Sequence, residues 1–128
     1  MMYSIQISEQ AENDLRGIFE YISFVLLSPQ TAAHQLRKIE AAISRLDYMP
    51  ERYGKYEKEP WLSRGLRQMP VTNYIVFYLV NDERMQVQVL RILYKRRDAE
   101  SQLAFTYPFK QETDIMLHED MKECKYRS

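Results

Sequence analysis

The run from Tyr74 to Val80, YIVFYLV, most constrains the fold of this chain. Because the run is continuously apolar or aromatic, it predicts a strand covered on both faces in the middle of a sheet. Two further β-rich runs flank it, Leu66–Val71 and Met85–Tyr94, and the connections Thr72–Asn73 and Asn81–Arg84 consist mainly of turn residues. This spacing predicts a three-stranded antiparallel meander.

The first half of the chain predicts a strand and two helices. Apolar and polar residues alternate from Tyr3 to Ile7, which is typical of a short strand with one buried face. Helical spacing then predicts a first helix from Glu9 to about Leu27, and Ser28-Pro29 is a start signal for a second. The first apolar stripe contains Ala11, Leu15, Ile18, Phe19, Ile22, Val25 and Leu26, and the second contains Ala32, Leu36, Ile39, Ile43 and Leu46. So short a connection favours an antiparallel helical hairpin.

The remaining segments complete an α+β outline. Residues 47–63 read as a long irregular loop, and Pro70 places its strand at an edge or a bulge because proline lacks a backbone donor. Ala99–Phe105 is typical of a short helix, and Asp114 begins a last amphipathic turn that carries Leu117, Met121 and Cys124. We expect the order β-α-α-β-β-β plus a C-terminal helical tail, with a helical hairpin on one face of a small antiparallel or mixed four-stranded sheet. Residues 1–105 form the domain and 106–128 a C-terminal extension without an assigned role.

Composition excludes several classes of protein. The 18 basic and 18 acidic side chains cancel, which excludes a uniformly basic nucleic-acid coat but permits a local patch. One cysteine, Cys124, cannot form an internal disulfide, and no Cys/His cluster has zinc spacing. Phosphate-binding glycine loops and common hydrolase motifs are absent. We expect a cytoplasmic protein without a metal, a cofactor or a membrane partner.

The basic side chains concentrate at two predicted strand ends. Arg64 and Arg67 begin the second strand, and the fourth ends with Arg91, Lys95, Arg96 and Arg97. Together with Tyr94, and with Tyr53 or Tyr56 from the loop, they predict a compact cationic patch that contacts either nucleic-acid phosphates and bases or an acidic protein segment. The alternative is that these arginines are solvated or paired with Glu57, Glu59 and Asp98.

Two residues allow structural as well as functional interpretations. Arg91 shares its alternation with Val87, Val89 and Leu93, so either the strand is bulged or an arginine lies on an apolar face. Its role is then a site contact or a structural ion pair, because a buried charge requires a partner. Trp61 is interpreted as an anchor for the long loop rather than as a stacking platform.

Two stretches resemble the RelE/ParE superfamily, the toxins of bacterial type II toxin-antitoxin pairs. They are EPWLSRGLRQMPVTNYIVFYLV (59–80) and VQVLRILYKRRD (87–98), and the start YSIQISEQAENDLRGIFEYIS is similar to the same family. The resemblance covers about residues 3–103 and implies the fold described above. It also implies a heteromeric complex with a cognate antitoxin.

The superfamily contains two activities, and the resemblance carries candidate residues for both. RelE-like members cut mRNA on the ribosome without a metal, whereas ParE-like members poison DNA gyrase. For a nuclease the resemblance implies catalytic Arg67, Tyr94, Arg96 and Arg97, with Lys55 and Lys58 as candidates for the family's lysine pair. For a binder it implies a target or partner contact made by Arg64, Arg67, Arg91, Lys95, Arg96 and Arg97. Tyr94 stands where many relatives have histidine.

The ParE-like or plasmid-stabilisation branch is the more similar one. Pro70, Asn73-Tyr74 and the ending Arg96-Arg97-Asp98 resemble that branch. The neutral net charge also disfavours docking among ribosomal RNA phosphates. We therefore expect a growth-arresting toxin that inhibits DNA gyrase and is neutralised by its antitoxin, with a ribosome-dependent mRNA endonuclease or a non-toxic family member as alternatives.

Overall fold

Four strands form one mixed sheet in the computed structural model, which describes residues 2–106. The strands are β1 (Ser4–Ile7), β2 (Arg67–Val71), β3 (Tyr74–Asn81) and β4 (Gln86–Tyr94). Their spatial order is β1-β4-β3-β2; β1 pairs with β4 in parallel, and the other neighbours are antiparallel. The predicted central place of β3 is confirmed, and Pro70 lies on the edge strand β2, where a missing backbone donor is tolerated.

The predicted helical hairpin packs on one face of this sheet. Its helices are α1 (Glu9–Glu20) and α2 (Pro29–Ser44), and two short helices follow, α3 (Trp61–Arg64) and α4 (Ala99–Ala104). The Ser8 hydroxyl accepts from the Ala11 N–H and caps α1, as Ser, Asp and Asn side chains commonly do. Ser28 differs, because its hydroxyl donates to Thr31 Oγ1 instead of capping a backbone N–H.

Both faces of the sheet are covered, which explains the unbroken apolar sequence of β3. The hairpin buries one cluster against the sheet, which includes Leu15, Ile39, Ile43, Val76, Tyr78, Val87, Val89 and Ile92; Tyr3, Ile5 and Ile7 pack against it as the alternation predicted. The second face is covered by the loop, α3 and α4, whose cluster contains Trp61, Leu66, Phe77, Leu90, Leu93 and Leu103. Alternating residues of the central strands therefore enter two different cores.

The end of the first helix differs from its prediction. After Glu20 the backbone widens into a π-helical turn, Tyr21–Val25, and Val25 and Leu26 are exposed instead of belonging to the buried stripe. Helical periodicity identifies one face, but it does not say where the covering sheet stops. The turn predicted from Asp114 lies outside the described residues.

Candidate functional site

Arg91 occupies its position because β4 carries a bulge. Tyr78 pairs with Val89 and Phe77 with Arg91, so Leu90 is the extra residue between them. One inserted residue reverses the alternation that follows it. The bulge interpretation of the odd Arg91 position is therefore correct.

The Arg91 guanidinium forms a buried, bidentate ion pair with Asp14 of α1. Its Nε lies 2.7 Å from Asp14 Oδ2, and one terminal nitrogen lies 2.9 Å from Oδ1. The other terminal nitrogen donates to the Gln102 carbonyl and to Thr106 Oγ1, both at 3.2 Å. Asp14 also accepts the Ile92 N–H at 2.9 Å. Arg91 thus joins α1, β4 and the end of α4, and its buried position makes it a poor contact for a target.

Arg64 and Arg67 are also engaged within the fold. The Arg67 guanidinium donates to the carbonyls of Glu51 and Tyr53, at 3.1 and 2.7 Å, and holds the loop against β2. The Arg64 guanidinium lies 4.9 Å from the ring centre of Trp61, a cation–π distance. Trp61 itself is buried in the second core, which confirms it as a loop anchor.

Tyr78 of β3 also holds this loop against the sheet. Its hydroxyl donates to the Pro50 carbonyl at 2.5 Å, and burial raises the pKa of Tyr78 to about 12. The carbonyls that accept from Arg67 lie at Glu51 and Tyr53, one and three positions further on. The loop is therefore held at two neighbouring points. The Tyr78 hydroxyl binds it at Pro50, and the Arg67 guanidinium binds it at Glu51 and Tyr53.

Tyr78→Phe is expected to lower the free energy of unfolding by about 1–2 kcal/mol at pH 7, because it leaves the buried Pro50 carbonyl unpaired. The variant should also change the pH dependence. The folded pKa of Tyr78 lies above its usual 10, so its contribution is complete below pH 10 and is lost between pH 10 and 12. Urea unfolding across that range measures both effects. A wild-type curve that falls no more steeply than that of the variant would contradict the assignment.

The strand register separates the two groups of cations. β2 and β4 are both antiparallel to β3 and so run in the same direction. Arg67 lies opposite Tyr78, which lies opposite Val89, and Tyr94 follows Val89 by five positions. Leu90 is the bulge residue among these five, so four rows at about 3.3 Å each separate Arg67 from Tyr94, or about 13 Å along the strands. The predicted compact patch of six cations does not form, because its members lie at opposite ends of the sheet.

One group remains accessible, the three residues Lys95–Arg97 after β4, here named the cationic turn. All three are exposed, and within residues 2–106 their side chains have no hydrogen-bond or ion-pair partner. The Lys95 N–H donates to the Asn73 carbonyl at 2.8 Å, which fixes the turn beside the β2–β3 connection. Next to it, Tyr94 contacts Tyr74 edge-to-face, with 5.7 Å between ring centres.

Two of the three carboxylates offered as alternative partners, Asp98 and Glu59, are occupied within their own turns. Asp98 accepts from the side chain and N–H of Ser101 and caps α4, and these hydrogen bonds lower the pKa of its carboxyl. Glu59 accepts from Ser63 in the same way, which lowers the pKa of Glu59. The cationic turn therefore keeps its charge available to a partner.

The two candidate lysines do not join the cationic turn. Lys58 pairs with Glu100 at 2.9 Å, and both side chains are exposed, so the pair contributes little to stability. The Lys55 backbone forms an isolated antiparallel β-bridge with that of Arg67, at the other end of β2 from the cationic turn. Among residues 2–106, His, Cys, Asp and Glu side chains form no group of three that could hold a metal ion, and none of the helices is long and apolar enough to cross a membrane.

Sequence reasoning missed Asp14 and Thr106 as the partners of Arg91. Asp14 stands one residue before the buried Leu15 in α1, and a carboxylate so close to an apolar stripe is the signal that was available. The geometry as a whole offers contacts for charge and for aromatic rings.

A family model and several solved structures match this chain and share its fold. A family model described as "ParE toxin of type II toxin-antitoxin system, parDE" matches residues 5–99. Comparison with curated proteins gives no match. The chain is similar in structure to a chain of the chromosomal ParDE system from P. aeruginosa, with 22% identity, a TM-score of 0.61, and coverage of 73% of this chain and 96% of that one.

Two further solved structures share the fold. One is from the toxin-antitoxin complex RelBE2 of Mycobacterium tuberculosis, with 23% identity, a TM-score of 0.53, and coverage of 76% of this chain and 95% of that one. The other is the free E. coli toxin RelE with two arginine substitutions, with 14% identity, a TM-score of 0.57, and coverage of 80% and 93%. At these identities the structures establish the fold alone.

Proposed function

Because the chain belongs to the ParE toxin family of type II toxin-antitoxin systems, we propose that it arrests bacterial growth by inhibiting DNA gyrase and that a cognate antitoxin neutralises it. The family model spans residues 5–99, and solved relatives include complexes of a toxin with its antitoxin. We further propose that the pair acts in the cytoplasm. Residues 1–105 as the toxin domain and 106–128 as an extension of unknown role stay a prediction.

One observation supports gyrase over mRNA cleavage: Arg67 and the cationic turn lie at opposite ends of the sheet. In the nuclease hypothesis Arg67, Tyr94, Arg96 and Arg97 act on one scissile phosphate. A general acid or base must lie within hydrogen-bond reach, about 3 Å, of the proton it moves. A separation of about 13 Å along the strands, together with the hydrogen bonds that hold the Arg67 guanidinium to the loop, disfavours that arrangement. The cationic turn instead suits recognition of an acidic protein surface.

We expect the purified protein to inhibit supercoiling by purified bacterial gyrase and to create no new mRNA ends in a translation extract. The double substitution Arg96→Glu/Arg97→Glu should weaken gyrase inhibition about 10- to 100-fold, because like charges across an interface are repelled. The matched control is Arg37→Glu/Lys38→Glu, which makes the same charge change on the exposed side of α2. Its inhibition should stay within about threefold of the wild type.

The RelE-like alternative has a distinct signature in the same experiment. Codon-phased cuts in the translation extract that disappear with Arg67→Ala would contradict the gyrase proposal. They would make Tyr94 the next residue to test as a proton donor or acceptor. A protein that does neither, and does not arrest growth when soluble, would be a non-toxic family member.

A further inference from the structure

The connection of the helical hairpin exposes an apolar surface that the proposed function does not use. We name it the hairpin tip, residues 21–27. Its large apolar side chains are between 55% and 80% exposed and comprise Tyr21, Phe24, Val25, Leu26 and Leu27. Single exposed apolar residues are ordinary, but a contiguous apolar patch on a soluble domain marks a surface that another molecule covers.

The hairpin tip is continuous with the cationic turn. Burial is the main reason that the pKa of Tyr74 is raised, and Tyr94 and Tyr21 lie close enough to contribute to it. Tyr74 in turn contacts Tyr94 edge-to-face. Tyr94 directly precedes the cationic turn. From the other side of the hairpin, Gln35 of α2 accepts from the Thr72 hydroxyl at 3.0 Å. The tip and the turn therefore lie at the same end of the sheet and share an aromatic border.

The charges of this surface are mostly positive. No carboxylate occurs in the sequence between Glu20 and Glu40, and the cationic turn adds three positive charges beside the tip. Along the chain, Glu20 at the base of the tip and Asp98 after the turn are the acidic residues that border the surface. A second copy of the chain docked by the same surface would bring like charges together, which disfavours self-association. The surface instead suits an apolar ridge bordered by carboxylates on a different protein.

The backbone at Leu27 supports a role beyond folding. Its φ is +55°, in the left-handed region that favours glycine, and the Ser28 N–H closes the turn onto the Ile22 carbonyl at 3.0 Å. Burial of the leucine side chain does not offset the cost of this backbone conformation, because Leu27 is the most exposed residue of the tip. Strained positions of this kind occur preferentially at functional surfaces.

We propose that the hairpin tip and the cationic turn form one docking surface for the target protein, which contributes an apolar ridge bordered by carboxylates. The inference rests on the proposed function, in which the cationic turn contacts the target, and adds the tip to the same contact. The apolar residues would supply affinity, and the cations would steer and orient the encounter. The antitoxin is the competing occupant, and the experiment separates the two.

Two tip variants test the inference, Leu27→Gly and Phe24→Ser. The control is Tyr48→Ser, which removes a similarly exposed aromatic residue at the opposite end of α2. We expect each tip variant to weaken gyrase inhibition by at least tenfold and to reduce growth arrest. Binding of the purified cognate antitoxin, measured by calorimetry, should stay within about threefold of the wild type. Leu27→Gly should melt at the wild-type temperature or above it, because glycine accepts the left-handed backbone, so misfolding cannot explain its loss of activity.

Each of the other possible results overturns the inference and points to a different role for the tip. Wild-type inhibition by both folded tip variants would remove the tip from the target contact. Loss of antitoxin binding, alone or together with inhibition, would assign the tip to the antitoxin or to both partners. Tip-dependent binding to vesicles of anionic phospholipid, with gyrase inhibition intact, would assign it to a membrane surface. If the wild type arrests growth without inhibiting gyrase, the proposed function fails, and the growth assay of the same variants still decides the role of the tip.

Discussion

Arg91→Ala is expected to lower the free energy of unfolding by about 3–5 kcal/mol, since it leaves the Asp14 carboxylate buried without its bidentate partner. The substitution also removes the donors for the Gln102 carbonyl and the Thr106 hydroxyl. Domains of this size are stable by only about 5–15 kcal/mol, so much of the fold's stability depends on this one guanidinium. Urea unfolding at pH 7 measures the loss.

Two controls separate the ion pair from a general effect of losing an arginine. Arg64→Ala removes an exposed guanidinium that only stacks on Trp61 and should cost about 0.5–1 kcal/mol. The double substitution Asp14→Leu/Arg91→Met should be less destabilised than Arg91→Ala, because no buried charge remains unpaired. A loss below 1 kcal/mol for Arg91→Ala would show that the ion pair does not hold α1, β4 and α4 together.

Expression of the protein without its partner is expected to arrest bacterial growth, and co-expression of the cognate antitoxin should restore growth. The cationic turn provides the matched pair: Arg96→Glu/Arg97→Glu should permit growth, whereas Arg37→Glu/Lys38→Glu should still arrest it. Colony counts after induction, with soluble protein verified in each strain, measure the effect. Normal growth with soluble wild-type protein would contradict the toxin function.

The antitoxin interaction has its own thermodynamic signature. We expect the partner to cover the groove between the helical hairpin and the sheet and to fold as it binds. Coupled folding buries a large apolar area and therefore gives a strongly negative heat-capacity change. Calorimetry at several temperatures would measure it. A heat-capacity change near zero would favour docking of a preformed surface.

The sequence predicted the sheet well because its signals are local. The apolar run from Tyr74 to Val80 could only be covered on both faces, and Pro70 could only lie at an edge or a bulge. The bulge itself was visible as the odd alternation of Arg91. By contrast, its partner Asp14 lies far away in the chain. Finding Asp14 requires knowing that α1 packs along β4. That packing is a tertiary relationship, and the residue periodicity of the sequence does not indicate it.

The direction of the strands explains why the predicted cationic patch did not form. In a meander, alternate strands run the same way, so the start of β2 and the end of β4 must lie at opposite ends of the sheet. This separation was available from the element order alone. The exposed hairpin tip was not, because apolar residues at helical spacing are typical of a buried face. Only the length of the sheet beneath the hairpin reveals that Val25 and Leu26 extend beyond it.

The parallel pairing of β1 with β4 determines when the sheet can be completed during synthesis of the chain. β1 has no strand partner until Gln86 and the residues after it have been made, 79 residues beyond Ile7. At roughly 5–20 residues per second, the ribosome needs about 4–16 s for that stretch. During this interval the nascent chain carries an unpaired first strand and lacks the turn that precedes α4. A product truncated before β4 should therefore fail to form this sheet and, under the proposed function, should not arrest growth.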